Sequence, residues 1–126
     1  MSGWNGNLSI AAAALALLAG CQQQSEAAPP LPEPVLSAAV VAQCRALIDQ
    51  AAKLGLIRAR PSGARIDVED ATWAALPAKA KDRTLQAVAC DVWQRAVPPQ
   101  SGYVVAYGYR SGKRLQLFSA AGMDRE

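Results

Sequence analysis

From Val35 onward apolar residues return every three or four positions: Leu36, Val40, Val41, Cys44, Leu47, Ile48, Ala51 and Leu54. That spacing draws one apolar stripe along a helix, because residues three and four apart share a face. Gly55 is placed to end it, since glycine enters the left-handed conformation that closes a helix C-terminus. The next stretch, LIRARPSGAR, breaks the pattern at Pro61 and Gly63 and reads as a loop. A short strand over Ala64 to Val68 follows. Asp67 or Glu69, ahead of Ala-Thr-Trp-Ala-Ala-Leu, reads as a helix start in which acidic side chains meet exposed N–H groups and the positive end of the dipole. Trp73 and Leu76 form its inward pair.

Pro77 belongs at the first turn of the next helix, where its missing N–H has no intrahelical partner to lose. That helix spans about Ala78 to Ala96. Ala80, Leu85, Val88, Ala89, Val92, Trp93 and Ala96 make one broad apolar face, and Lys79, Lys81, Asp82, Arg83, Gln86, Asp91 and Arg95 make the solvated one. Pro98-Pro99 ends it. GYVVAYGY (Gly102 to Tyr109) and RLQLFS (Arg114 to Ser119) then read as strands joined by Arg110-Ser111-Gly112-Lys113, a connection of hairpin length. Under period two, Tyr103, Val105, Tyr107 and Tyr109 share one face, while Val104, Ala106 and Gly108 share the other, whose small size suits the underside of a helix. Residues 121–126 are expected to fray. The predicted class is α+β: two helices, the second preceded by a short Trp-bearing helix, packed on a small antiparallel sheet that ends in a C-terminal β-hairpin, over residues 35–126.

Ahead of this domain the pattern is different. Leu8 to Leu18, LSIAAAALALL, is apolar apart from Ser9, and about eleven residues fall short of the roughly 20 needed to span a bilayer. The run reads as the core of a signal peptide over residues 1–20, because an amphipathic or buried helix would carry polar residues along one face. The preceding MSGWNGN has no charged side chain, where a secretory leader normally carries Lys or Arg; a misplaced start codon would account for this. Residues Gln22 to Pro34, QQQSEAAPPLPEP, cannot bury a core and read as an extended tether.

Directly after the apolar run, Leu18-Ala19-Gly20-Cys21 resembles the lipobox of bacterial lipoproteins. The resemblance implies that the Cys21 thiol takes a diacylglyceryl group and that a dedicated peptidase cuts before it, with Ala19 and Gly20 meeting the need for small residues and Leu18 an apolar subsite. Acyl chains on Cys21 would then hold the mature chain on a membrane. A plain signal peptide with an incidental cysteine is the alternative. By resemblance to the enterobacterial sorting rule, Gln22 in place of aspartate implies the outer membrane, with the domain in the periplasm. Farther along, Val68-Glu69, Trp73, Leu76, Lys81 and Ser111-Gly112-Lys113 loosely resemble small bacterial exported proteins, a likeness that implies no activity.

With Cys21 lipidated, Cys44 and Cys90 remain as an even pair in an oxidising compartment, both on the apolar faces of their helices, and are expected to form a disulfide. A redox or nucleophilic role for either would lack a CxxC pair and a histidine base. The balance of 13 basic and 10 acidic residues is mildly basic, without the dense Lys/Arg runs of a nucleic-acid binder.

The chain has no histidine, no GxSxG, no SxxK and no phosphate-cradling glycine loop, so no metal, cofactor or catalytic residue is assigned and the expected class is not an enzyme. Asp67, Glu69 and Asp70 form a carboxylate cluster open to acid/base or Ca2+ chemistry, or to helix capping. Arg58, Arg60 and Arg65 lie in the first loop, and Arg110, Lys113 and Arg114 at the hairpin tip. At one end of the domain these six would make an anion-facing patch for lipid headgroups, an acidic wall polymer or an envelope protein; otherwise they are solvated turns. Two functions compete: a non-catalytic envelope interaction domain, and an accessory enzyme or inhibitor of an envelope enzyme. A pocket joining carboxylates to tyrosines would favour the second.

Overall fold

The computed structural model describes residues 35–125, so the predicted leader, the lipobox with Cys21 and the proline-rich tether lie outside the described residues. Helix α1, Ala38–Lys53, begins where the Ser37 hydroxyl accepts a hydrogen bond from the Val40 N–H at 3.3 Å. Its stripe turns Val41, Ile48 and Ala51 inward. Gly55, at φ +80°, reverses the chain in a conformation that other residues adopt only with strain.

The stretch expected to be a loop is instead strand β1, Ile57–Ser62, paired antiparallel with β2, Arg65–Val68. The register Ile57↔Val68, Ala59↔Asp67 and Ser62↔Arg65 contains two irregularities. Pro61 is compatible with this strand because β1 is the sheet edge, with a neighbour on one side only and an irregular register between Ala59 and Ser62. Helix α2, Asp70–Ala75, buries Trp73. Pro77 leads into α3, Ala78–Trp93. Gln94 caps α3 in the left-handed conformation, φ 52° and ψ 37°, so Arg95 and Ala96 leave the helix earlier than their apolar spacing suggests.

Strands β3, Tyr103–Gly108, β4, Arg114–Ser119, and β5, Gly122–Arg125, complete a five-stranded sheet whose spatial order is the chain order. The domain is therefore α+β, but its sheet is mixed rather than antiparallel. β2 and β3 run parallel, with Arg65↔Val105 through Val68↔Gly108 in register, and the other pairs are antiparallel. The reason is topological: two helices carry the chain from the end of β2 back to its start, and β3 enters in the same direction. The C-terminal residues expected to fray form β5 instead. Ala120 and Ala121 make the turn, Gly122 at φ +115° opens β5, and β4 supplies the ladder, so the sheet closes on a β4–β5 hairpin.

α1 and α3 cover one face of this sheet. Ile66, Val68, Leu85, Val88, Ala89, Val104 and Ala106 are fully buried between the layers. The small residues Val104 and Ala106 let α3 approach the sheet closely. Cys44 of α1 and Cys90 of α3 pair at disulfide distance, with Cα atoms 6.2 Å apart. Among the described residues the most deeply buried polar side chain is that of Gln116, 1% exposed, whose amide donates to Asp82 of α3 at 2.9 Å and is satisfied across the layers. No described helix is long and apolar enough to cross a membrane.

Candidate functional site

Alternation along the strands sends Arg65 and Asp67 of β2, Tyr103, Val105 and Tyr107 of β3, and Leu117 of β4 to the sheet face away from the helices. The register sets Arg65 beside Val105, Asp67 beside Tyr107 and Val105 beside Leu117. The Arg65 guanidinium lies 4.2 Å from the centre of the Tyr107 ring and hydrogen-bonds Asp67 at 3.1 Å. Arg58 lies 5.1 Å from the ring of Tyr109, just past the end of β3. Tyr103 is 55% exposed and Tyr109 49%. Cation and ring hold each other in place here, because the face of a tyrosine ring attracts positive charge.

Where β2 and β3 begin, this face opens into a cleft of about 360 Å³ lined by Arg65, Trp93, Gly102, Tyr103, Val105 and Tyr107. Trp93 comes from the last turn of α3. It stays reachable because Gly102 has no side chain: a Cβ there would stand 2.8 Å from Trp93 Cζ2 and 3.1 Å from Pro99. Neither Trp93 nor Gly102 is legible as a site residue in the sequence, where Trp93 reads as helix core. The spacing of Pro98-Pro99 to Gly102 is the only local signal, and it marks a turn.

The six cations are distributed differently from a single patch. Arg58 and Arg110 converge on Glu69, at 3.7 and 2.6 Å, which brings the first hairpin and the β3–β4 turn to a common carboxylate. Arg60 reaches to the helix layer, pairing with Asp91 at 3.3 Å and donating to the Gly63 carbonyl at 2.6 Å. Arg65 belongs to the open face. Lys113 sits in the exposed turn, and Arg114 begins β4 opposite Tyr107.

The carboxylates are engaged with these partners. Glu69 precedes α2 without capping it, its side chain accepting from Arg110 instead. Asp70 accepts from the Ser111 hydroxyl at 2.5 Å and from the Arg110 N–H at 2.8 Å. The Ser111 hydrogen bond first, and the Arg110 N–H second, hold its pKa below the ordinary 3.8. At Asp91, burial is the largest single influence and opposes ionisation, but hydrogen bonds and charge from Arg45 and Arg60 together outweigh it and the pKa is again lowered. Carboxylates held ionised in this way are poor proton donors at neutral pH. The residues lining the tyrosine cleft include no carboxylate. Among the described residues, no three or more His, Cys, Asp or Glu side chains are grouped to hold a metal ion.

Compared with protein-family models, curated proteins and solved structures, the chain matches none of them.

Proposed function

We propose that this chain is a lipid-anchored envelope protein whose folded domain binds a partner protein, without catalysis, through the open face of its sheet. One observation carries the reading: an uncovered sheet face presents Tyr103, Tyr107 and Tyr109, with Arg58 and Arg65 stacked on two of the rings and Trp93 at the floor of the adjoining cleft. Tyrosine, arginine and tryptophan are the residues that dominate protein–protein hot spots. Stacking them in advance reduces the side-chain entropy lost on association. The anchor rests on the Leu18-Ala19-Gly20-Cys21 lipobox, with the outer membrane as destination and the domain in the periplasm.

A photo-crosslinking amino acid placed at Tyr103, and separately at the exposed Ala46 of α1, tests the surface in the protein's own cells. The expected result is a discrete protein adduct from position 103, abolished by Arg65→Glu, and none from position 46. Equal adducts from both positions, or none from 103, would refute the reading. The anchor is tested separately by intact mass: a chain beginning at Cys21 and carrying acyl groups is expected, and a Cys21→Ser variant lacks them.

A further inference from the structure

The helix layer carries a second concave surface, on the side of the domain away from the tyrosines. A cavity of about 640 Å³ is lined by Val40, Cys44, Leu47, Arg83, Ala87 and Phe118, among others. A neighbouring one of about 390 Å³ continues past Leu54, Leu56 and Leu76. Leu47 and Arg83 belong to both, so the two form a single groove between α1 and α3. Its rim is accessible, with Val40 38% exposed and Leu47 and Cys44 partly so, over a base of buried Ala87 and Phe118.

The polar groups in this groove are sparse and of one kind of charge. Apart from the uncharged glutamines and Thr84, the polar lining among the described residues is the ionisable side chain of Arg83. Arg45, Arg58, Arg60, Arg65 and Arg110 each pair with a carboxylate, whereas Arg83 makes no ion pair among the described residues. An apolar trench with one unpaired guanidinium at its midpoint complements an elongated apolar group that ends in a negative charge. Its size narrows the choice further. Volumes of about 640 and 390 Å³ fall in the range of small-molecule sites, and the lining runs from α1 and α3 to Phe118 of β4.

We propose that this groove binds an anionic single-chain lipid, its alkyl chain against Leu47, Ala87 and Phe118 and its headgroup on Arg83. The inference goes beyond the sheet-face reading and does not depend on it. Membranes containing the full chain are incubated with a palmitate analogue bearing a mid-chain diazirine, irradiated, and the adducts mapped by mass spectrometry. Adducts are expected on residues 40–47 and 83–90, competed by palmitate and not by hexadecyltrimethylammonium. Arg83→Glu should cut their yield about tenfold, the scale of one charged hydrogen bond, while Arg83→Lys keeps most of it. Arg83 is exposed on α3, and retention of the Cys44–Cys90 bond in each variant's mass shows that the helix pair is intact. Adducts outside the groove, equal competition by the cationic amphiphile, or a parental yield from Arg83→Glu would each overturn the proposal.

Discussion

The backbone N–H of Arg110 donates to Asp70 Oδ1 at 2.8 Å across a sequence separation of 40, fastening the β3–β4 turn to the first residue of α2. Ser111 bonds the other carboxylate oxygen, and Gly108 leaves the room for it, since a Cβ at that position would overlap Asp70. This contact is sensitive to acid. A carboxylate whose folded pKa lies below its unfolded value contributes stability that is present in full above the unfolded value and is lost as pH falls through the folded one. The Asp70 contribution is therefore intact at neutral pH and disappears on acidification below 3.8. Melting temperatures measured from neutral pH to strong acid should fall less in Asp70→Asn than in the parent, with the variant already lower at neutral pH. Parallel curves would refute the assignment; Asp91, also lowered, leaves some acid dependence in both.

The bond between Cys44 and Cys90 closes a loop with a sequence separation of 46, and in the chain-entropy account a loop of that length stabilises the fold by about 4 kcal/mol. Urea unfolding with and without reductant measures it. The reduced chain, or Cys44→Ala with Cys90→Ala, should unfold at a clearly lower midpoint, because both residues sit against the apolar boundary of α1 and α3. An unchanged midpoint would mean that helix packing alone sets the stability.

Gly102→Ala should strain the tyrosine cleft from beneath. The added methyl meets Trp93 at 2.8 Å and Pro99 at 3.1 Å, an overpacking expected to cost about 1–3 kcal/mol. The Trp93 indole resonance should shift and the Tyr103 crosslink should weaken, while the resonance of Trp73, buried under α2, stays in place. An unmoved Trp93 signal would show that the floor of the cleft is elsewhere.

The parts of this fold legible in the sequence are those set by local periodicity. The α1 stripe, the alternation that puts Val104 and Ala106 beneath a helix, and the placement of both cysteines on facing stripes all follow from spacing of three, four or two. β1 is hidden because its arginines and Pro61 look like a loop; it becomes a strand only because β2 offers a ladder and Glu69 and Asp91 draw Arg58 and Arg60 to fixed places. β5 is hidden for the same reason, its four residues depending on the edge that β4 leaves open. The parallel step from β2 to β3 is a relation between distant segments that no window of residues contains. The site follows suit. The arginines are visible in the sequence, but the acidic partners that divide them among three places are not, and neither is the Trp93 floor that Gly102 leaves uncovered.

The coincidence of spatial and chain order in the sheet bears on how the molecule is made. A chain emerging N-terminus first can add each strand to the edge formed by the one before it, with no strand inserted between two already paired. Only one addition has to wait: β3 cannot dock until α2 and α3 have emerged, and by then Cys90 has also come within reach of Cys44. Closure of the helix layer and extension of the sheet beyond its first hairpin thus fall at the same stage of the chain's emergence, and β4 and β5 follow as local additions to a surface already in place.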